Sequence, residues 1–150
     1  MDRADRKILA EMQEDGRLSV TDLAGRVGLS LSPCHRRLKT LEDSGVIIGY
    51  HARLNASALG LNFSSLVFII LRESTFQAVS AFEAALGGIP QIVEAKRLFG
   101  ETDYLLKIVD ENLSAFQRLY DEKLTKIPNI KRINSTIVMK EVVRYRGFPV

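Results

Sequence analysis

Four hydrogen-bonding side chains lie close together in the first third of the chain, at spacings that place them on one side of a helix: Ser32, His35, Arg36 and Lys39. The opposite side of that helix would carry Cys34, Leu38 and Leu41, which have the i, i+4, i+7 spacing of a buried stripe. Such a helix offers donors to base edges and phosphate oxygens in the DNA major groove. The pattern therefore predicts a DNA-recognition helix.

The charge around this helix is one-sided, whereas the charge of the whole chain is not. Positions 25–41 contain no acid and four basic residues, Arg26, Arg36, Arg37 and Lys39, while the 150-residue chain has a net charge of only +3. A local basic patch favours a polyanionic partner. We expect Arg37 and Arg26 to hold phosphates and the four outward side chains to read bases. The alternative is a solvated basic face on an ordinary helix.

The residues around the predicted recognition helix are typical of a helix-turn-helix. Ser19 stands three residues before Asp22, a capping-box-like spacing that predicts the start of a first helix. Gly28 predicts its end, because glycine readily adopts the left-handed conformation of a helix C-terminus. Ser32 and Pro33 read as the N-cap and first residue of the second helix.

A further helix and a short strand complete the first predicted domain. Asp2 or Asp5 caps a helix that carries an apolar stripe of Ile8, Leu9 and Met12. Residues 46–54 are rich in β-branched and aromatic types and predict a strand or wing. We therefore expect a winged helix-turn-helix domain over residues 1–54. The small, polar segment 55–62 (NASALGLN) reads as a linker.

Residues 63–150 predict a second domain of different architecture. The apolar run 66–71 reads as a strand, and a helix starts at Ser74 or Thr75. Strands are predicted at 92–99 and 104–109, then a helix that stops at Pro128, then a last strand within 134–143. The order β-α-β-β-α-β is that of a ferredoxin-like sandwich, so the fold class is α+β.

The first strand of this domain is apolar on both of its faces. Leu66, Phe68 and Ile70 alternate with equally apolar neighbours, although two helices can cover only one face of the sheet. A second copy of the domain would cover the other face, since self-association is usually two-fold and buries identical patches. The alternative is an exposed apolar face. A homodimer would also place two recognition helices about 34 Å apart, one turn of DNA.

Composition excludes several other classes of protein. With one cysteine, no internal disulfide is possible, and Cys34 beside His35 with only His51 elsewhere does not provide a zinc site. Cys34 is expected to be a small core residue. The charged N-terminus is not a signal peptide, and no apolar run is long enough for a membrane span, so we expect a cytoplasmic protein.

The arrangement of motifs resembles a known family over essentially the whole chain. The pattern DGR.S...LA..VGLS..P, followed by LE..G.I.GY.A.LN, GETDYLLK and TIVMKEV, is similar to that of the leucine-responsive and asparagine-operon (Lrp/AsnC) regulators, the feast/famine transcription factors. The resemblance implies an N-terminal winged helix-turn-helix whose recognition helix falls on residues 32–43. It also implies a C-terminal domain that dimerises and binds small effectors, often amino acids. Assemblies of such proteins are tetramers, octamers or open helical arrays.

The resemblance also implies where an effector binds. The site falls at a turn and a strand, where neighbouring dimers meet: Gly100, Glu101, Thr102, Asp103, Tyr104, Thr136 and Val138. Family members commonly have aspartate directly after the glycine, where this chain has Glu101. Independently of the family, a turn of this type can bind an amino-acid zwitterion, with amide donors near Gly100 for the carboxylate and Glu101 or Asp103 for the ammonium group. An ordinary hairpin turn with solvated acids is the alternative.

Together these observations predict a sequence-specific, DNA-binding transcriptional regulator without cofactor, modulated by a small effector. The effector would act by different affinities for two assemblies, because a ligand that binds both equally shifts nothing. One alternative is an effector-independent architectural DNA-binding protein, and another is a pure assembly module. An enzyme on the second domain is disfavoured, since residues 63–150 contain no histidine or cysteine.

Overall fold

The computed structural model describes residues 1–143 and 146–150. The chain forms two compact units, one comprising Met1–Arg53 with Val142–Val150 and the other comprising Leu54–Glu141. Each unit has its own apolar core. No helix in the described part of the chain is long and apolar enough to cross a bilayer.

The first unit contains three helices, α1 (Arg3–Glu14), α2 (Val20–Val27) and α3 (Leu31–Asp43). The predicted start of α1 and the predicted start and end of α2 are confirmed. Asp2 and Asp5 form a reciprocal capping box on α1, Ser19 accepts a hydrogen bond from the Asp22 amide, and Gly28 is left-handed with φ of 74°. The buried face of α3 carries Cys34, Leu38 and Leu41, as predicted, and packs with Ile8 and Leu23.

The start of α3 differs from the prediction. The N-cap is Ser30 rather than Ser32, its side chain makes no capping hydrogen bond, and Pro33 is the third helical residue rather than the first. Proline is tolerated there because the first four amides of a helix have no intrahelical acceptor. The helix therefore begins at Leu31, and Ser32 is already part of its surface.

The segment 46–54, predicted as a strand or wing, does not form a strand. No described strand pairs with it, and a strand is stable only when its amides and carbonyls find a partner. The segment is largely exposed, with Ile48 at 93%. Its Tyr50 hydroxyl donates a 2.7 Å hydrogen bond to Glu42 on α3.

The C-terminal residues group with the first unit, whereas the predicted second domain extended to residue 150. The reason is a pair of hydrogen bonds from the side-chain amide of Gln13 on α1. Its Nε2 donates to the Phe148 carbonyl at 3.0 Å, and its Oε1 accepts from the Phe148 amide at 2.6 Å. Gly147 lies directly against this amide with φ of 85°, and a Cβ there would be 2.6 Å from Gln13 Oε1.

The second unit is a four-stranded antiparallel sheet with two helices. Its elements are β1 (Phe63–Leu71), α4 (Phe76–Leu86), β2 (Ile92–Arg97), β3 (Tyr104–Asp110), α5 (Leu113–Glu122) and β4 (Ile130–Ile137), with short 3-10 helices at Ser57–Leu59 and Leu124–Lys126. The sheet order is β2-β3-β1-β4, which confirms the predicted ferredoxin-like α+β fold. Thr75 is the N-cap of α4, as one of the two predicted alternatives.

The last strand lies earlier than predicted. β4 occupies Ile130–Ile137 rather than part of 134–143, because its residues pair with β1 from Leu71 back to Ser65. The prediction followed the more apolar residues after Ile137. The bounds of the strand are instead set by which residues can pair with β1, and composition does not show this. The predicted long helix before Pro128 is also divided, into α5 and a 3-10 turn.

The two faces of the sheet differ in burial. On the inner face, Val67, Ile69 and Leu106 are fully buried against Phe82 of α4 and Phe116 of α5, among other residues. The outer face carries side chains that are only half-buried, among them Leu66, Phe68, Ile70, Leu105 and Val109. Burial alternates along the whole of β1. Within one chain, the helices therefore cover one apolar face and leave the other open.

Candidate DNA interface and effector site

The four predicted base-reading side chains share the outward surface of α3. Ser32, His35, Arg36 and Lys39 are all exposed, on the side away from Cys34 and the other buried residues. Among the described residues, none of these four side chains has a hydrogen-bond or ion-pair partner. We call this set the outer face of α3. Its donors are available to a groove of DNA.

The other two predicted DNA-contacting arginines have protein partners. Arg37 Nη1 lies 2.8 Å from Asp2 Oδ2 and 2.8 Å from Asp5 Oδ1, and these carboxylates raise the pKa of the guanidinium. Arg26 Nη1 lies 3.1 Å from Glu11 Oε2. Both arginines therefore link a helix of the helix-turn-helix to α1. The sequence analysis interpreted Asp2 and Asp5 only as helix caps and missed their ion pairs with Arg37. The opposite charges are present in the sequence, but spacing does not show that they meet.

Cys34 belongs to the core beneath the outer face. Its side chain is fully buried, and burial raises the pKa of its thiol. A neutral, shielded thiol is poorly reactive, because the thiolate is the nucleophile and the metal ligand. The expected role of Cys34 as a small core residue is what the structure shows.

At the turn between β2 and β3, Asp103 is hydrogen-bonded to the neighbouring strand β1. Its carboxylate Oδ2 accepts a 2.7 Å hydrogen bond from the Leu71 amide, and its own amide donates to the Ile69 carbonyl at 2.9 Å. Its carbonyl accepts from the Leu98 amide at 2.8 Å, which closes the turn. The side chain thus extends the hydrogen bonding beyond the last β1–β3 pair, Ile69 and Tyr104, to Leu71 at the end of β1. One of its two carboxylate oxygens is already used by the fold.

Tyr104 points to the inner face of the sheet rather than toward solvent. The residue is 3% exposed, its ring lies 4.7 Å from that of Phe82, and its hydroxyl donates a short hydrogen bond to Glu83 of α4. Burial, followed by this hydrogen bond, raises the pKa of Tyr104 to about 12. Its side chain is a structural link between β3 and α4.

The remaining residues of the turn are open. Gly100 and Glu101 are exposed, and Thr102 is half-buried. A Cβ placed on Gly100 would meet no described atom within 4 Å, and its φ is outside the left-handed region. The fold itself therefore sets no steric demand for glycine at this position. The space above it is free for a ligand or for another chain.

The two halves of the predicted effector site lie well apart along the sheet. The Asp103 carboxylate reaches the Leu71 end of β1, whereas Thr136 pairs with Leu66 on the far side of that strand. Five residues of strand correspond to roughly 16 Å. Val138, whose amide donates to the Ser64 carbonyl at 2.9 Å, is farther still. A single chain does not bring the turn and β4 into one pocket.

Comparison with known proteins matches both units to described domain families. Residues 1–48 match a model described as winged helix-turn-helix DNA-binding, and residues 64–148 match the Lrp/AsnC ligand binding domain. The chain belongs to the Lrp/AsnC family. This regulator is 41% identical to the leucine-responsive regulatory protein of Rhizobium meliloti, over 95% of this chain and 91% of that protein. It is 38% identical to the Bkd operon transcriptional regulator of Pseudomonas aeruginosa, over 95% and 94%.

Solved structures agree with this assignment. A transcriptional regulator from Neisseria meningitidis, crystallised as a complex with L-methionine, superimposes with a TM-score of 0.95 at 34% identity, over 99% of this chain and 96% of that one. An AsnC family regulator from Agrobacterium tumefaciens gives 0.93 at 34% identity, over 99% and 97%. The predicted family and function are confirmed. The chain is a transcriptional regulator with a helix-turn-helix DNA-binding domain and a ligand-binding domain.

Proposed function

We propose that this Lrp/AsnC regulator reads its operator with the outer face of α3. The observation that carries the proposal is that Ser32, His35, Arg36 and Lys39 are exposed together with no partner among the described residues. Arg36 and Lys39 suit guanine, and Ser32 and His35 supply smaller polar contacts. Arg37 and Arg26 would contribute phosphate contacts only by exchanging a carboxylate of α1 for a phosphate.

The functional form in this proposal is a homodimer built on the open face of the sheet. Leu66, Phe68, Leu105 and their neighbours form an apolar surface that the two helices leave uncovered. A second copy of the same surface is its self-complementary partner. Dimers of this kind would assemble further into tetramers or octamers, as the family resemblance implies.

The effector in this proposal is an amino acid bound between copies. Because the turn at 100–104 and the end of β4 are far apart in one chain, a site that uses both requires residues from a neighbouring copy. Gly100, Glu101 and Thr102 provide the open part of the turn, while Thr136 and Val138 come from the other chain. The L-methionine complex of the similar Neisseria meningitidis regulator supports this ligand class.

Selection of genomic fragments by the full-length protein, with and without a panel of amino acids, tests the proposal. We expect enrichment of a discrete duplex, and a change in affinity and sedimentation with at least one amino acid. Affinity should fall steeply with salt. In a plot of the logarithm of the binding constant against the logarithm of the salt concentration, each phosphate contact should contribute about −0.9 to the slope. Absence of enrichment would contradict sequence-specific binding. Enrichment with identical sedimentation for every amino acid would leave an effector-independent DNA-binding protein.

A further inference from the structure

The N-terminus of α1 divides its four carboxylate oxygens between two tasks. Asp2 Oδ1 accepts from the amides of Ala4 and Asp5, and Asp5 Oδ2 accepts from the amide of Asp2, at 2.9 to 3.0 Å. The other oxygen of each carboxylate, Asp2 Oδ2 and Asp5 Oδ1, lies 2.8 Å from the same nitrogen, Arg37 Nη1. Each acid thus fixes its own helix and, through Arg37, a second one.

This bridge lies beside the outer face of α3 and not within it. Arg37 follows Arg36 directly and belongs to the edge of the buried stripe, between Cys34 and Leu41. Its side chain is 33% exposed and that of Asp5 is 17% exposed. A groove of about 290 Å³ next to the bridge is lined by Asp5, Arg36, Arg37, Thr40 and Leu41. Arg36 therefore lines the same groove as the ion pair between Arg37 and Asp5.

The hydrophobic stabilisation of an apolar stripe is non-directional, so it constrains the rotation of a helix less sharply than a directional polar contact does. A guanidinium nitrogen held between two carboxylate oxygens of another helix makes a directional contact, and it is partly shielded from water. A small rotation of α3 would move the long side chain of Arg36 away from a base edge. The bridge between Arg37 and the two aspartates can therefore fix the rotation of α3 about its axis, and with it the direction in which the outer face presents its side chains to DNA.

We propose that Asp2 and Asp5 orient the recognition helix through Arg37, so that Arg37 is a positioning residue for base recognition rather than a phosphate contact. This inference rests on the proposed function of the outer face of α3. It assigns the two N-terminal acids a role in specificity, although their charge opposes DNA. Removing them should therefore weaken specific binding while leaving non-specific binding equal or tighter.

The test variant is Asp2→Asn/Asp5→Asn. Asparagine remains a good helix cap, so α1 keeps its start, but its amide group turns a donor toward Arg37 and breaks the bridge. The matched control is Glu11→Gln/Glu14→Gln, which removes two negative charges from the same helix and releases Arg26 instead. Affinity is measured for the duplex enriched by the unmodified protein and for a scrambled duplex of the same composition, over a range of salt.

The ratio of specific to scrambled affinity should fall about five- to tenfold in the test variant, the lower part of what one base contact contributes. In the control both affinities should rise together and the ratio should stay constant. If instead the test variant binds the enriched duplex more tightly, with a logarithmic salt slope steeper by about 0.9, Arg37 is a released phosphate contact and the proposal is wrong. An unchanged ratio and slope would also overturn it.

Arg37→Gln provides a second reading that does not depend on the two acids. If Arg37 acts only through Asp2 and Asp5, Arg37→Gln should lower the ratio of specific to scrambled affinity as much as Asp2→Asn/Asp5→Asn does. The triple variant should then have the same ratio as either of them. Additive losses would contradict the bridge. Failure to enrich any duplex with the unmodified protein would instead refute the proposed function, so the two failures are distinguishable.

Discussion

The outer face of α3 and the turn at residues 100–104 were both predicted as binding sites, yet the fold uses their polar groups very differently. None of the four side chains on the outer face has a partner among the described residues. In the turn, the Asp103 carboxylate accepts a hydrogen bond from the Leu71 amide, and Tyr104 is buried against Phe82 with its hydroxyl bonded to Glu83. Substitutions on the outer face should therefore affect binding alone. Substitutions in the turn should separate into structural ones and ligand-related ones.

The largest effect on stability is expected from Asp103→Ala. It leaves the Leu71 amide without its acceptor at the end of β1, so the free energy of unfolding should decrease by about 1–3 kcal/mol. Glu101→Ala, two residues away but exposed, should change it by less than about 0.5 kcal/mol. Urea denaturation of both variants makes the comparison. Equal losses would show that the turn does not divide in this way.

A smaller effect is expected from Tyr104→Phe, which removes the hydroxyl bonded to Glu83 and should cost about 1 kcal/mol at neutral pH. The folded pKa of about 12 exceeds the usual tyrosine value of 10.0. The neutral phenol therefore stabilises the fold fully below pH 10, and this contribution is lost as the pH rises toward 12.

Thermal denaturation between neutral and alkaline pH checks this expectation. The unmodified protein should lose more stability above pH 10 than Tyr104→Phe does. Tyr50→Phe is the parallel case in the other unit: because burial and Glu42 raise the pKa of Tyr50 to about 12, this variant should also lose less stability above pH 10 than the unmodified protein does. If the alkaline losses of the unmodified protein and the Tyr104→Phe variant were the same, Tyr104 would not be the structural link described here.

The smallest effect concerns Asp2. Hydrogen bonds, chiefly from the Asp5 amide, and the Arg37 guanidinium lower the pKa of its carboxyl. Because the folded pKa is depressed, the contribution of Asp2 is present above the usual aspartate range and is lost as the pH falls through the lowered value. NMR titration should show that Arg37→Gln shifts this pKa upward, toward its ordinary value. No shift would mean that the bridge does not persist in solution.

Local signals in the sequence were enough to predict much of the fold. Ser19, Gly28 and Thr75 act on their own helix ends, so each could be identified without a partner. The position of β4 could not, because pairing with β1 decides it. The strand alternative for residues 46–54 failed because no described strand pairs with that segment. The outer face of α3 followed from helical spacing alone.

The candidate sites divide in the same way. Spacing predicts which side chains share a surface, but it does not show which of them are already bonded. The ion pairs of Arg37 with Asp2 and Asp5 depend on how α1 packs against α3. The hydrogen bond from the Leu71 amide to Asp103 depends on strand register. The separation of Thr136 from the turn likewise follows from the order of strands in the sheet. These are tertiary facts that no local pattern contains.

The central claim, that the outer face of α3 reads DNA, is tested most directly by the affinity of Arg36→Ala for the enriched duplex. Arg118→Ala, an exposed arginine on α5, is the control with the same change of charge. We expect Arg36→Ala to weaken specific binding by about 1–3 kcal/mol with an unchanged melting temperature, and Arg118→Ala to leave it nearly unaffected. Equal affinities of Arg36→Ala and the unmodified protein would contradict the account.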